Sequence, residues 1–248
     1  MRQVLIDLPD PLPASLAIDA GLRHRLARVL RMQSGTPVLL GDGLGRQVHA
    51  RFTGHGFDAV AGQPAAPQEP LALTLACAVL KGDRFDWLVE KAAELGVAAI
   101  QPLQTEHAVA HAAGTGAATK QQRWQAVATE AFEQCGRPWR TRILTPLPFA
   151  DWLDNRDLAV PVAVCDERMP PLYLGDWVAG LTPCQAPRPI VVVLGPEGGL
   201  ADRERSALDC IGATRVWVAR SVLRAETAAL AAAVIALAPK SGEKQAMR

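Results

Sequence analysis

Hydrophobic and polar positions follow two different patterns along the chain. Residues 46–52 alternate between polar and apolar side chains, which is typical of a strand with one buried face. Residues 71–80 and 189–194 are near-continuous apolar runs, which predict strands buried on both faces. Segments of helical periodicity separate such runs in the later part of the chain. The pattern therefore predicts a short β-rich domain followed by an α/β domain with a mostly parallel sheet.

Further elements are predicted from periodicity and from turn residues. In the first part of the chain we expect a helix over 20–31 and a strand over 36–40. Asp83 is expected to cap a helix over 84–95 that Gly96 ends. The remaining predicted elements are strands at 97–103, 158–165 and 215–218 and helices at 119–134, 202–211 and 225–238.

The two patterns meet in residues 62–70, GQPAAPQEP, which contain three prolines and no periodicity. Such a stretch is typical of a linker. The predicted domains are therefore residues 1–68, a small β-barrel, and residues 71–240, the α/β domain. A chain of 248 residues is long enough for one or two domains with their own cores.

Composition excludes several classes of protein. No apolar run reaches the ~18 residues of a membrane helix, and the N-terminus lacks the apolar segment of a signal peptide. The five cysteines include no Cys-x-x-Cys pair, which disfavours a disulfide framework and a zinc site. We therefore expect a cytoplasmic protein with no membrane association. His107 and His111 have metal-ligand spacing, but their Ala- and Gly-rich surroundings indicate a loop, so we expect no metal.

Positive charge is concentrated locally, although the net charge is only +1. On a helix over 20–31, one face carries apolar residues and the opposite face carries arginines. The apolar residues are Leu22, Leu26, Val29 and Leu30, and the arginines are Arg23, Arg25, Arg28 and Arg31. This arrangement predicts a phosphate-binding face, which Lys81, Arg84 and Arg140 are expected to extend. The alternative is an ordinary solvated helix face.

Candidate chemistry lies in two loops that each follow a predicted strand. Residues 194–199, LGPEGG, join a buried strand to a helix, and ligands of open α/β sheets bind at the carboxyl ends of strands. This loop is neither a Walker phosphate loop nor a Gly-x-Gly-x-x-Gly fingerprint. Residues 218–228 place Arg224 and Glu226 at the start of an Ala-rich helix. The alternatives are a tight strand-to-helix turn and, for Glu226, a favourable interaction with the helix dipole.

Taken together, these segments resemble the SPOUT, or trefoil-knotted, methyltransferases, and more narrowly the RsmE family of 16S rRNA uridine-N3 methyltransferases. The resemblance rests on LGPEGGL at 194–200, VLRAETAAL at 222–230 and three upstream matches. The upstream matches are HRLARVLRM at 24–32, KGDRFDWLVEKAAELGV at 81–97 and EQCGR at 133–137. The chain departs from the family at 218–221, where it has VARS in place of the family's Leu-Gly-Pro-Arg.

The resemblance implies a fold, a cofactor and partners. The fold is a C-terminal knotted α/β methyltransferase domain with a small N-terminal PUA-like barrel that binds RNA. The cofactor is S-adenosylmethionine. The partners are 16S ribosomal RNA, within the small ribosomal subunit, and a second copy of the chain in a homodimer. The residues implied in cofactor binding are Leu194, Gly195, Pro196, Glu197, Gly199, Val218, Ala219, Leu223, Ala225 and Thr227.

Methylation of uridine N3 makes a specific chemical demand. N3 carries a proton at neutral pH, so the enzyme must remove that proton or stabilise the resulting anion with positive charge. We assign the positive charge to Arg137 and Arg224 and the role of base to Glu226. Methyl transfer from a sulfonium is an in-line displacement that depends on positioning and requires no metal.

Three other functions compete with this interpretation. Ribose 2′-O-methylation belongs to the same superfamily, but the basic first domain and the EQCGR segment disfavour it. A non-catalytic RNA-binding or assembly factor is favoured only by the departure at 219–221. A nucleotide- or NAD-binding enzyme is disfavoured because the chain lacks the glycine fingerprints of such enzymes.

Overall fold

The computed structural model describes residues 1–62, 71–168, 170–181 and 188–238. These residues form two compact units. The first unit contains the described residues up to 62 together with Thr129–Arg140, and the second contains the other described residues. The predicted boundaries differ in one segment, because they put Thr129–Arg140 into the second domain. The predicted linker at 63–70 lies outside the described residues.

The first unit is organised around one sheet. Its strands are β1 (Arg2–Leu5), β2 (Ser15–Ala17), β3 (Pro37–Gly41), β4 (Gln47–Phe52) and β5 (Gly56–Gly62). Their order is β1-β3-β4-β5-β2, with β1 parallel to β3 and the other pairs antiparallel. The alternation predicted for β4 is confirmed, since Val48, Ala50 and Phe52 are buried. The order is open at β1 and β2, so closure into a barrel is not observed among these strands.

One helical segment of the first unit departs from regular α geometry. Helix α1 spans Ala20–His24 and continues as a π-helical turn over Arg25–Val29. In that turn the N–H of Leu30 donates to the carbonyl of Arg25, five residues earlier. The wider turn rotates later side chains away from the arc expected of an α-helix. Leu26 is fully buried as predicted, but the prediction for Val29 was wrong, because its side chain is 65% exposed.

The second unit contains the remaining elements. Its strands are β6 (Leu71–Ala78), β7 (Ala99–Gln104), β8 (Arg142–Ile143), β9 (Leu147–Pro148), β10 (Val162–Cys165), β11 (Arg188–Leu194) and β12 (Thr214–Val216). Its helices are α2 (Arg84–Leu95), the first part of α3 (Ala117–Cys135), α4 (Phe149–Asn155), α5 (Leu174–Gly180), α6 (Asp202–Cys210) and α7 (Ala225–Leu237). The sequence pattern missed α4 and α5, whose seven residues are too few to establish a helical period. No helix in the described part of the chain is long and apolar enough to cross a membrane.

The paired strands of the second unit all run parallel, which confirms the predicted sheet type. Their order is β12-β10-β11-β6-β7-β8, and β9 also pairs with β7. Strand β11 lies between β10 and β6, and its residues Ile190, Val192 and Val193 are fully buried. The two apolar runs of the sequence therefore form the centre of the sheet, as burial on both faces requires.

Two local predictions in this unit differ from the structure. Helix α2 ends at Gly96, which has a φ of 92°, as predicted, but the side chain of Asp83 makes no capping hydrogen bond. Asp83 has helical backbone angles instead of the extended ones that an N-cap residue needs. The strand predicted over 158–165 begins only at Val162, because Asp157 accepts a hydrogen bond from the N–H of Ala159 at 2.9 Å and forms a turn.

Helix α3 supplies residues to both units. Within the first unit, the buried carboxylate of Glu133 accepts a hydrogen bond from the N–H of Leu5 at 3.1 Å and pairs with the guanidinium of Arg25. The side chain of Gln3 donates to the carbonyl of Arg137 at 2.9 Å. Strand β1 is therefore fastened to a segment that lies 128 residues later in the chain.

Charged side chains form a buried network where β10 ends. The carboxylate of Asp166 pairs with Arg205 at 2.9 Å and with Arg215 at 3.2 Å, and it accepts a hydrogen bond from the N–H of Arg168. Burial raises the pKa of Asp166, but the Arg168 N–H and the two guanidinium groups outweigh burial, so the pKa lies below its usual value. The network is therefore built for an ionised Asp166.

We predict that Asp166→Asn lowers the free energy of unfolding near neutral pH and weakens its acid dependence. The charged form of Asp166 stabilises the fold above the unfolded-state pKa of about 3.9, and that contribution is lost as the pH falls through the lower folded-state pKa. Urea unfolding at about pH 7 and about pH 2.5 tests this. The difference between wild type and variant should shrink at the lower pH, and a difference of equal size at both would contradict the prediction.

Asp209→Asn is the matched control, because Asp209 also pairs with Arg215, at 2.6 Å, but is exposed. An exposed ion pair contributes little to stability, so this variant should unfold almost as the wild type does at both pH values.

Candidate functional site

A pocket of about 290 Å³ lies at the carboxyl edge of the parallel sheet in the second unit. Its walls are the segments that follow β10, β11 and β12, together with the start of α7. The predicted cofactor-binding residues that line it are Leu194, Gly195, Pro196, Glu197, Gly199, Val218, Ala219, Leu223 and Ala225. The lining does not include Thr227, which is exposed on α7. Segments that follow three different strands thus form one cavity.

Two glycines of the loop after β11 are required by its geometry. Gly199 has a φ of 71°, and a Cβ there would lie 3.2 Å from Nη2 of Arg205 and 3.3 Å from Oε1 of Glu167. A Cβ on Gly195 would lie 3.0 Å from the backbone nitrogen of Leu200. A side chain at either position would enter space that neighbouring atoms already occupy. The loop therefore brings bare backbone to the wall of the pocket.

Carboxylates and guanidinium groups line the same cavity. Glu167 pairs with Arg205 at 2.7 Å, and the Arg205 side chain, whose guanidinium also pairs with Asp166, is only 7% exposed. Glu197 pairs with Arg84 at 2.6 Å, and both side chains are partly exposed. Arg84 was predicted to bind RNA, and in the structure its guanidinium pairs with Glu197 of the pocket wall. The pocket therefore presents backbone groups among paired charges instead of a single-signed surface.

Two of the predicted catalytic residues lie at the start of α7, beside the lining segment. Glu226 is buried, and its Oε2 atom has no hydrogen-bond partner among the described residues. An unpaired buried carboxylate oxygen is uncommon, since leaving such a group without a donor is costly. Arg224 is exposed and occupies the N-cap position of α7. Neither residue is part of the pocket lining itself.

The remaining predicted residues belong to the first unit, apart from Lys81, which is exposed in the second. Arg23 of α1, Arg28 of the π-helical turn and Arg31 are exposed, whereas Arg25 is engaged by Glu133. Arg31 was predicted to lie on the helix but follows the π-helical turn with a φ of 52°. Burial lowers the pKa of the Arg137 guanidinium. Arg140 is partly buried, with its Cβ 2.9 Å from the position that a Cβ on Gly43 would take.

The pocket also contains residues that the sequence pattern did not single out. Asp166, Glu167, Leu200, Arg205 and Trp217 all belong to its lining. The signal for the first two was present, because acidic residues directly after a buried strand lie at the ligand-binding edge of a parallel sheet. Arg205 gave no such signal, since it lies inside a helix and reaches the pocket only through the fold.

A cysteine lies in the same wall. Burial raises the pKa of the Cys165 thiol to about 12, so the thiol stays protonated at neutral pH. Among the described residues, no group of three or more His, Cys, Asp or Glu side chains could hold a metal ion.

Comparison with known proteins identifies relatives of the whole chain. The profile of a family described as RNA methyltransferase domain matches residues 67–237. The chain is 33% identical to ribosomal RNA small subunit methyltransferase E of Synechocystis sp. over 235 residues, which are 92% of this chain and 75% of that protein. It is 26% identical to the protein of the same name from Bacillus subtilis over 213 residues, 84% of this chain and 83% of that one.

A solved structure agrees in fold and in sequence. The crystal structure of a ribosomal RNA small subunit methyltransferase E from Neisseria gonorrhoeae, bound to S-adenosyl methionine, superposes with a TM-score of 0.79 at 30% identity. The match covers 94% of this chain and 95% of that one. Since the profile spans most of the chain and these relatives match nearly its full length, the chain belongs to the RNA methyltransferase domain family and, within it, to the ribosomal RNA small subunit methyltransferase E, or RsmE, family.

Proposed function

We propose that the chain transfers a methyl group from S-adenosylmethionine to N3 of a uridine in 16S ribosomal RNA of the small ribosomal subunit. The observation that carries this proposal is the pocket at the carboxyl edge of the sheet. Its glycine-rich wall corresponds to the segment LGPEGGL, and a relative of 30% identity with the same fold binds S-adenosyl methionine. The pocket volume of about 290 Å³ is close to the lower end of the ~300–1,000 Å³ typical of small-ligand sites.

The pocket residues suit such a cofactor. Backbone around Gly195 and Gly199 can approach an adenosine or methionine moiety closely, because no side chain intervenes. Val218, Ala219 and Leu223 add apolar and backbone surface on the opposite segment. When bound, S-adenosylmethionine supplies an electrophilic methyl group, and the chain's own task is to position the acceptor and to manage its proton.

Glu226 is assigned the role of the base that removes the proton from uridine N3. The buried Oε2 atom of Glu226 has no partner in the described part of the chain, so this carboxylate can accept a hydrogen bond or a proton, and the residue directly follows the pocket-lining Ala225. Arg224 and Arg137 are assigned to the negative charge that develops on uracil O2 and O4. Burial around Arg137 strengthens such a charge interaction, since the local dielectric is low.

The architecture of the family extends the proposal to the whole molecule. We place the second unit among the trefoil-knotted SPOUT domains and the first unit among the PUA-like RNA-binding modules, both in a homodimer in the cytoplasm. The parallel strand order and the convergence of three loops on one pocket support the first assignment. The exposed Arg23, Arg28 and Arg31 support RNA binding by the first unit. Lys81, Arg84 and Arg140 are further candidates for RNA binding.

We predict that the purified chain methylates 16S ribosomal RNA, alone or within small subunits, in the presence of S-adenosylmethionine. Mass spectrometry of the digested RNA should detect 3-methyluridine. A methyl group on a ribose 2′ oxygen would instead support 2′-O-methylation, and absence of cofactor binding by calorimetry would support a non-catalytic RNA-binding factor.

The variant Gly199→Val tests whether the pocket binds the cofactor. Its side chain would project toward Arg205 and Glu167 from a backbone conformation that valine disfavours, so cofactor affinity and methylation should both fall at least about tenfold. Gly180→Val is the matched control, because a Cβ at Gly180 meets no described atom within 4 Å and the residue lies at the end of α5. Unchanged cofactor binding by a folded Gly199→Val chain would remove the pocket from the proposal.

We predict that the exposed arginines of α1 and of the π-helical turn that follows it bind phosphates. Arg23→Ala combined with Arg28→Ala should weaken RNA binding and lower the slope of log affinity against log salt by about one per lost contact. Arg203→Ala removes an equally exposed arginine from the second unit and should leave the slope unchanged. Arg25→Ala belongs to another class, since it removes the partner of Glu133 and should lower stability. An unaltered slope in the double variant would leave the face merely solvated.

We predict that Arg137→Ala reduces turnover by about 10²–10³ while cofactor affinity is retained, which is the usual cost of losing one charge-stabilising donor in a water-poor site. Arg142→Ala removes an exposed arginine that comes five residues later in the chain, and it should behave as the wild type. Mixed dimers of Arg137→Ala and Gly199→Val chains test whether sites are shared between subunits. Recovered activity supports shared sites, whereas no recovery from verified mixed dimers would place Arg137 and the glycine loop in one chain's site.

A further inference from the structure

A segment that does not line the pocket is bonded to the pocket's glycine-rich wall. His107 lies three residues after β7, and its Nδ1 atom is 3.2 Å from the carbonyl oxygen of Gly198 and 3.1 Å from that of Gly199. Both partners are acceptors only, so Nδ1 must carry the hydrogen and donate to them. One imidazole N–H thus holds two consecutive peptide units of the wall.

The imidazole also covers the wall sterically. A Cβ on Gly198 would lie 3.3 Å from Cβ of His107 and 3.7 Å from its Cγ. The histidine stem therefore packs directly on the glycine backbone. Two adjacent glycines have more backbone freedom than any other pair of residues, so a loop that contains them needs outside contacts to keep one shape.

A buried carboxylate keeps the histidine segment in place. Glu204, in the first turn of α6, is 5% exposed. One of its oxygens accepts a hydrogen bond from the N–H of Glu106, and the other accepts one from the N–H of Ala201, both at 2.9 Å. Hydrogen bonds to an ionised carboxylate are among the stronger ones. The single side chain of Glu204 therefore joins the backbone next to His107 to the backbone that follows the glycine loop.

We propose that His107 is a positioning residue for the pocket: its Nδ1–H holds the carbonyls of Gly198 and Gly199 so that the opposite side of this wall keeps the shape that binds the cofactor. The ligand in this inference rests on the proposed function, whereas the effect on the loop itself does not. Histidine acts here through the glycine backbone and touches neither methyl donor nor acceptor.

Two variants of His107 separate the effect of its hydrogen-bond donor from the effect of its side-chain size. His107→Leu keeps an apolar stem and loses the N–H, so S-adenosylmethionine affinity measured by calorimetry should fall about three- to tenfold, the usual net effect of one hydrogen bond. His107→Asn restores an N–H on an atom attached to Cγ, as Nδ1 is, and should bind within about twofold of the wild type. Equal weakening in both variants, or wild-type affinity in the leucine variant, would overturn the proposal.

The control breaks a different bond, which joins the His107 segment to helix α6 directly after the glycine loop. Glu106 and Arg203 pair at 2.6 Å on the exposed side, where Arg203 is 78% exposed. Arg203→Ala should leave cofactor affinity within about twofold, because exposed ion pairs contribute little. A loss as large as that of His107→Leu would mean that any contact between these segments matters, which would contradict the specific role of His107.

Hydrogen exchange of the unliganded chain provides a readout that does not depend on the cofactor. The amides of Gly198, Gly199 and Leu200 should exchange several-fold faster in His107→Leu than in wild type or His107→Asn. If the wild-type chain fails to bind S-adenosylmethionine, the proposed function fails while this comparison still decides the role of His107. Identical exchange in all three chains would overturn that role, whatever the ligand.

Discussion

The parallel pairing of β11 with β6 on one side and β10 on the other is the constraint on which the rest of the second unit depends. Parallel strands end at one edge, so the chain leaves β10, β11 and β12 at neighbouring points. Loops that are distant in sequence are thereby brought to the same edge of the sheet. The position of the pocket therefore follows from the direction of the strands, and the side chains determine only its lining.

Charge pairing then determines what that edge can contain. A guanidinium as buried as that of Arg205 is tolerated only with compensating carboxylates, and Asp166 and Glu167 provide them from the end of the adjacent strand β10. The same two acidic residues occupy positions next to the glycine loop, where a Cβ on Gly199 would meet one of them. Glycine is therefore required at position 199 because the paired charges of Arg205 and Glu167 occupy the space beside the loop.

The sequence predicted best what depends on local pattern. Helix α2 and its end at Gly96 follow from periodicity and a glycine signal, and the central strands follow from apolar runs. Local pattern misled where a short-range bond changed the geometry. Val29 is exposed because it lies in the π-helical turn, and β10 begins later than predicted because a turn forms at Asp157.

Pairings between distant residues had no signal at all. Arg25 and Arg84 pair with Glu133 and Glu197, which lie 108 and 113 residues away, so local sequence does not reveal these ion pairs. The pocket residues in the glycine loop were predictable because a motif and a strand end coincide there. Arg205 and His107 reach the pocket wall only through tertiary contacts, so no motif marks them.

The division of the first unit into two stretches of chain has a consequence for its inheritance. Residues up to 62 lack the carboxylate that receives the N–H of Leu5 and the carbonyl that receives the side chain of Gln3, since Glu133 and Arg137 are encoded far downstream. A gene fragment for the N-terminal stretch alone would encode a sheet whose first strand keeps its pairing with β3 but lacks these two hydrogen bonds. The complete unit is therefore not one contiguous stretch of the gene, and moving it whole into another protein requires the transfer of both segments.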